Sequence, residues 1–309
     1  LKGIVYKSTG SWYILKGDDN CFHQARLKGK FKINDITSTN PIAVGDLVEF
    51  ELENEDGGNV IITELCPRRN YVNRISPANK RMHHIIASNI DQSVLIATIK
   101  DPKTSTGFID RFLVTCEAFH IPAIVLFNKA DIYREKELNI FQERKEIYER
   151  IGYRVLLTSL HTSEGIEDLK KALKHRTTLF SGHSGVGKSS LINTILGESN
   201  IRTSEVSAWS GKGMHTTTFA EMYDLPFEGK IIDTPGMREF AIADIERSEL
   251  SHYFPEMRTM LNECQYNNCM HINEPSCAVK NAVMHGQISE QRYISYCSIL
   301  DSIKENDWT

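Results

Sequence analysis

The segment Gly182-His183-Ser184-Gly185-Val186-Gly187-Lys188-Ser189 constrains this chain more than any other. It fits the spacing G-x-x-x-x-G-K-[ST], in which glycines let the backbone wrap an anion and aim its N–H groups inward. The run Thr177–Ser181 before it is strand-like, and Lys188–Leu196 after it carries a helical pattern. Strand, loop and helix in that order set the positive end of a helix dipole against a phosphate. Lys188 is then expected to reach the β- and γ-phosphates and Ser189 to ligate Mg²⁺, with Ser190 completing the phosphate-binding set. A glycine-rich turn before an ordinary helix is the weaker alternative, because the strand–loop–helix context is also met.

A second motif lies upstream. Asn128-Lys129-Ala130-Asp131 directly follows the apolar run 121–127 and fits N-K-x-D. A carboxylate at Asp131 can accept from both guanine N1–H and the N2 amino group, an arrangement adenine does not offer. The alkyl stem of Lys129 can cover the base. Thr158-Ser159-Leu160 ends the next strand and resembles a short loop that supports guanine O6 through backbone N–H. Downstream, Asp233-Thr234-Pro235-Gly236 fits D-x-x-G, so Asp233 is expected to hold Mg²⁺ through water and the Gly236 N–H to sense the γ-phosphate. Gly211-Lys212-Gly213-Met214-His215-Thr216-Thr217-Thr218 suits a switch that orders around Mg²⁺ and phosphate. Thr217 is the expected magnesium ligand there; Thr216 and Thr218 are alternatives, and a plain polar loop is the bland reading.

The order of these motifs is informative. Conventional GTPases run phosphate loop, switch threonine, D-x-x-G, N-K-x-D and then the guanine-supporting loop. Here Asn128–Asp131 and Thr158–Leu160 come first, so the domain reads as circularly permuted. Many GTPases also place a glutamine after D-x-x-G to orient the attacking water; here that position is Met237, which has no such hydrogen bond to give. Slow intrinsic hydrolysis is expected, with His215, in the switch run beside the expected magnesium-ligating threonine, as the candidate replacement and Lys188 as the second catalytic candidate.

Around these motifs, alternating strand-like and helix-like runs from about residue 90 predict a mainly parallel α/β sheet. Residues 1–70 instead carry about five short strand patterns separated by turns such as Gly17-Asp18-Asp19-Asn20. They predict a small barrel, an OB-fold being the commonest nucleic-acid-binding candidate. Arg68, Arg69, Arg74, Lys80 and Arg81 then read as a basic linker, either solvated or facing phosphate. The net charge of −4 excludes a histone-like polycation but leaves room for such a local patch. Seven cysteines are too few for a disulfide scaffold, the apolar runs are too short for a bilayer, and no secretory-signal pattern opens the sequence. A cytoplasmic monomer with no membrane partner is expected. Four of the metal-ligand type cluster as Cys264-x4-Cys269-x-His271-x5-Cys277, a closed Cys₃His set suited to one structural Zn²⁺; free buried thiols or a redox pair are the alternatives. Cys21, Cys66, Cys116 and Cys297 read as packing residues.

Taken together, the permuted order of 128–131 and 182–189, the runs 211–218 and 233–236, and the Cys/His set resemble the ribosome small subunit-dependent GTPase A family. The resemblance covers essentially the whole chain. It implies a multidomain α/β protein: an N-terminal OB-fold β-barrel (1–70), a circularly permuted P-loop GTPase domain (71–240) and a C-terminal helical zinc-binding domain (241–309). It also implies binding of GTP and GDP, a late role in small (30S) ribosomal subunit maturation, rRNA contact by the two outer domains, and GTPase activity stimulated by the subunit. One departure is Met214, where the family often has arginine. A competing reading is an OB-fold RNA-binding module in which GTP is mainly a structural or regulatory ligand. A permuted signalling switch without RNA fits less well, given the barrel, the basic run and the Cys/His segment.

Overall fold

The computed structural model describes residues 1–28, 41–53, 59–75, 83–197, 220–234 and 245–303. The first five strands are β1 (Lys2–Ser8), β2 (Tyr13–Gly17), β3 (Phe22–Leu27), β4 (Leu47–Leu52) and β5 (Asn59–Leu65). In β2, Tyr13, Leu15 and Gly17 are buried while Ile14 and Lys16 are half-buried, the period-two pattern of a strand with one face in a core. Antiparallel pairs β1–β2, β2–β3, β4–β5 and β1–β4, with β3 parallel to β5, close these strands into the expected OB-fold barrel. Val5, Tyr13, Leu15, Val48, Phe50, Val60 and Ile62 fill it.

Beyond the barrel, β6 (Tyr71–Ile75) and β7 (His83–Ser88) form a separate two-stranded ribbon. This corrects the reading of residues 68–81 as a plain linker. Nor is Arg68 a solvated or phosphate-facing cation. Its side chain, 9% exposed, donates from Nε and Nη2 to the Asp46 carboxylate at 2.7 and 2.6 Å. Asp46 is fully buried and also accepts from the Ser88 hydroxyl at 2.5 Å and the Ala43 N–H at 2.8 Å. A buried carboxylate needs such partners, and Arg68 supplies the charge. Arg69, more exposed, pairs with Asp91 at 2.9 Å. Lys80 and Arg81 lie outside the described residues.

The parallel strands β8 (Gln92–Ala97), β9 (Ala123–Phe127), β10 (Arg154–Leu157), β11 (Thr177–Ser181) and β13 (Lys230–Asp233) lie in the order β10-β9-β8-β11-β13, with β12 (Glu221–Asp224) antiparallel on β13. The sequence patterns missed β12. Helices α1 (Thr106–Ala118) and α2 (Glu135–Arg150) send Phe112, Leu113, Phe141 and Tyr148 into the core on one face. Helices α3 (Ile166–Leu173) and α4 (Lys188–Leu196) send Leu169, Leu173, Leu191 and Ile195 into the other. The sheet is thus doubly wound, and its strands, covered on both faces, read as continuous apolar runs. At its edge β12 meets β1 through the Lys7–Glu221 register pair, whose side chains also pair at 3.4 Å. Barrel and α/β sheet therefore form one continuous sheet of 11 strands.

The C-terminal part carries α5 (Pro255–Arg258), α6 (Ala278–Met284) and α7 (Glu290–Ser302). Their core of Phe254, Met257, Val279, Tyr296, Ile299 and Leu300 includes Val114 of α1, so it packs on the α/β unit. Of the cysteines read as packing residues, Cys116 is buried, Cys66 and Cys297 are half-buried, and Cys21 is exposed at the β2–β3 turn.

Candidate functional site: a nucleotide cleft and a Cys/His cluster

The glycine-rich loop leaves the carboxyl end of β11 and enters α4 at Lys188, as the spacing predicts. Gly187 sits at φ +92°, and a Cβ there would lie 2.5 Å from the Asn128 amide nitrogen. Only glycine meets both conditions. Asn128 reaches the loop directly, its Nδ2 donating to the Val186 carbonyl at 2.9 Å. It is itself nearly fully buried, and its Oδ1 accepts from the Thr158 hydroxyl at 3.1 Å. One amide thus ties together three loops that are separated by 30 and 58 residues of sequence.

Around it, the Ala130 N–H donates to the Thr158 carbonyl at 3.0 Å, and the Ser159 hydroxyl donates to Asp131 Oδ1 at 2.6 Å. Asp131 is exposed, so a carboxylate of fixed orientation faces solvent beside the loop. Lys129 takes a left-handed backbone (φ 65°), and its Nζ donates to the Asp101 carbonyl at 2.6 Å. At the first residue of α4, the Lys188 ammonium forms an ion pair with Asp233 at the end of β13. Ser184, Gly185, Ser189 and Ser190 are exposed. Ser189 and Asp233 offer hard oxygen donors of the type Mg²⁺ takes. His215, Thr217 and Gly236 lie outside the described residues.

Three supporting residues carried no motif. Tyr133 is buried; its hydroxyl donates to the Asn128 carbonyl at 2.6 Å and accepts from the Ile99 N–H at 2.9 Å, fixing the guanine-motif strand end. The Thr104 hydroxyl accepts from the Thr98 N–H at 2.9 Å and is hydrogen-bonded to His183 Nε2 at 2.7 Å. His183 Nδ1 donates to the Ser184 carbonyl at 3.2 Å, so both ring nitrogens are held and the ring is fixed in the phosphate loop. Asp101 contributes only a carbonyl. The Lys129–Asp101, Tyr133–Ile99 and Thr104–His183 contacts span 28, 34 and 79 residues. Tyr133, two residues beyond Asp131, was the one with a positional clue.

The Cys264, Cys269, His271 and Cys277 ligand atoms all lie within 4.8 Å of one another. His271 Nδ1 is 3.6 Å from Cys264 Sγ and 3.4 Å from Cys277 Sγ. Metal–sulfur and metal–nitrogen bonds of about 2.3 and 2.0 Å give tetrahedral edges of about 3.5 Å between N and S, so the set fits a metal ion. Cys277 also caps α6, its sulfur accepting from the Lys280 N–H. Glu274 shapes the loop by accepting from the Met270, Ile272 and Asn273 N–H groups at 2.7–3.1 Å.

The model of the RsgA GTPase family matches residues 65–243, more than half of the chain, and that of the RsgA N-terminal domain matches residues 2–60. The chain belongs to the RsgA GTPase family. A small ribosomal subunit biogenesis GTPase RsgA of Cytophaga hutchinsonii is 50% identical over 300 residues, covering 97% of this chain and 98% of that protein. One from Bacteroides fragilis is 47% identical over 308 residues, covering 100% and 99%. The crystal structure of YjeQ from Thermotoga maritima superposes with a TM-score of 0.78 at 34% identity, over 97% of each chain. That of YloQ, described as a circularly permuted GTPase, gives 0.74 at 32% identity over 98% of this chain and 94% of that one. The permuted motif order thus marks an RsgA-type GTPase, an enzyme of the hydrolase class, and the family favours this over the binding-module reading. Among the described residues no helix is long and apolar enough to cross a membrane.

Proposed function

We propose that this chain hydrolyses GTP during maturation of the small ribosomal subunit. The relatives' shared name supports the ribosomal part. One observation carries the nucleotide part: Asn128 binds the phosphate loop and the Thr158 loop together, so motifs in permuted order converge on one cleft. In this reading Asn128, Lys129, Ala130 and Asp131, with Thr158 and Ser159, select guanine. Gly182 to Ser190 cradle the phosphates, and Lys188 exchanges Asp233 for the β- and γ-phosphates. Ser189, Thr217 and, through water, Asp233 would hold Mg²⁺, which neutralises charge on the phosphates when bound. Gly236 would sense the γ-phosphate. The Cys₃His set would hold one structural Zn²⁺, since it leaves no ligand position open. We keep the divisions near residues 70 and 240, the cytoplasmic setting and the monomeric state as parts of the same proposal.

Base selection is tested at Asp131. The Ser159 hydroxyl fixes one carboxylate oxygen, and a charged acceptor facing two donors contributes more than a neutral one. Asp131→Asn is expected to weaken GTP binding about tenfold to a hundredfold, the range set by one hydrogen bond to a charged group. Xanthosine triphosphate should gain affinity in the same variant. Equal ATP and GTP affinities in the wild type would refute the assignment.

Turnover is tested with purified ribosomal subunits. Slow hydrolysis is expected for the free chain, and faster hydrolysis with small but not large subunits. His215→Ala should lose about a hundredfold or more of the stimulated rate, as for a lost general base, and keep GTP binding. Full stimulation of that variant would remove His215 from the mechanism. No response of the wild type to small subunits would overturn the ribosomal reading.

A further inference from the structure

A second cleft opens where the barrel meets the α/β sheet, at the end of the sheet opposite the phosphate loop. It measures about 710 Å³ and is lined by Lys16, Arg176, Asp224, Glu228 and Lys230 among others. Thr177 and Lys230, which start β11 and β13, line it, whereas the phosphate loop and Asp233 lie at the far ends of the same strands. Its acidic groups are already engaged. Asp224 accepts from the Tyr6 hydroxyl and the Lys16 ammonium, both at 2.7 Å, and Glu228 pairs with His175 at 3.1 Å. Arg176 and Lys230 make no ion pair among the described residues. Arg176 is exposed and Lys230 half-buried. Two cations are thus available for an anionic partner.

An aromatic ring stands beside Lys16 of the cleft lining. Phe22, at the start of β3, is 46% exposed. Its ring packs edge-on against Tyr6 with centroids 5.2 Å apart, and Lys16 Nζ lies 5.7 Å from its centroid. Tyr6 and Lys16 are in turn fixed by Asp224, so the Phe22 ring is held rather than free. An exposed ring of set orientation, packed on one lining residue of a cleft that also carries unpaired cations, is the pattern by which proteins hold unpaired nucleotides, a base on the ring and phosphates on the cations. A duplex offers phosphates but no free base face.

We propose that this junction cleft binds single-stranded RNA, with a base stacked on Phe22 and backbone phosphates on Arg176 and Lys230. That the strand is RNA rests on the ribosomal reading above; the cleft itself is separate from the nucleotide site. The contact would engage barrel and α/β sheet at once, across the β1–β12 seam.

The full-length chain is titrated into a fluorescent 12-nucleotide single-stranded RNA and a duplex of the same length, with anisotropy as the readout. The wild type should prefer the single strand. Phe22→Ala should bind it about tenfold more weakly, within the ~1–3 kcal/mol of one base–aromatic stack, and Phe22→Trp should restore it. The Arg176→Gln/Lys230→Gln variant should lower the slope of log affinity against log salt by about 1.4, or ~0.7 per lost phosphate contact on a single strand. Wild-type GTP binding by each variant checks the fold. Variants that bind the oligonucleotide like the wild type, or a wild type that does not bind it, would overturn the proposal. Equal duplex binding insensitive to Phe22→Ala would reduce the cleft to general polyanion attraction, and displacement of the RNA by a glutamate-rich peptide would assign it to an acidic protein; either refutes it. Stimulation of wild-type turnover by small subunits is measured in parallel. Its absence would fail the ribosomal reading, whereas its presence with unaffected variants would fail the cleft alone.

Discussion

Stripping zinc from the proposed site at Cys264, Cys269, His271 and Cys277 is expected to melt the C-terminal helices while the nucleotide-binding sheet stays folded. The reason is the size of the core around the cluster. Helices α5 and α6 span only four and seven residues, too short to stand without tertiary support. Segments of this size commonly need a metal or disulfide staple, and none of the seven cysteines is in a disulfide. Structural zinc contributes on the order of 10–16 kcal/mol of apparent binding energy in small metal-dependent folds, and that energy is folding energy. The α/β sheet has its own two cores, around Phe112 and Leu191, so it does not share this dependence. Metal analysis of protein purified without chelator should give about one zinc per chain. A strong chelator, or Cys277→Ser, should then split a separate low-temperature unfolding step off the main transition and leave GTP binding in place. Protein that contains no zinc, or a melting curve unmoved by chelation, would refute the role of the cluster.

The parts of this fold that were legible in the sequence are those whose determinants are local. The bounds of β11 and α4 could be read because Gly182, Gly185 and Gly187 punctuate the chain between an apolar run and a 3.6-period pattern. The Cys/His set was legible because its four ligands fall within 14 residues. The barrel could be read as five strands because turns separate them. What was hidden depends on partners far along the chain. Arg68 looks like any basic linker residue until Asp46, 22 residues before it, is brought beside it, and Asp46 is in turn held by Ser88, 42 residues further along the chain. Strand β12 is four residues long with mixed burial, so its place was set by pairing with β13 and β1 rather than by its own pattern. At the nucleotide cleft, the motif residues announced themselves, whereas Thr104 and Tyr133 hold those motifs through bonds that no short pattern records.

Arg292 shows how much such a hidden partner can weigh, and Arg292→Leu is expected to destabilise the chain by about 3–5 kcal/mol. Its side chain, 1% exposed, sits between two carboxylates. Nη1 donates to Asp110 of α1 at 2.7 Å, and Nε and Nη2 donate to Glu256 of α5 at 2.7 and 3.2 Å. The guanidinium also lies over the Phe254 ring at 4.5 Å. One buried cation thereby joins the C-terminal helices to the α/β unit. Burial acts against its charge, but Asp110 and Glu256 outweigh burial and hold its pKa above the ordinary arginine value. Burial also pushes the Asp110 carboxyl up, opposed by Arg292 and by hydrogen bonds that include the Tyr148 hydroxyl at 3.0 Å. Leucine at position 292 removes the part of that opposition that Arg292 supplies, so the Asp110 pKa in the folded variant should rise further above its unfolded value. A carboxyl raised in this way binds more protons folded than unfolded across the interval between the two values. The stability deficit of the variant should therefore be largest at neutral pH and shrink as the pH falls into that interval. Adding Asp110→Asn and Glu256→Gln should recover most of the loss at pH 7, since a buried charge set replaced by neutral groups costs far less than one left without its counter-charge. Urea unfolding of the single and triple variants at pH 7 and pH 5 reads all three effects. A single variant as stable as the wild type at pH 7, or a deficit that grows on acidification, would show that Arg292 does not hold the two parts together by charge.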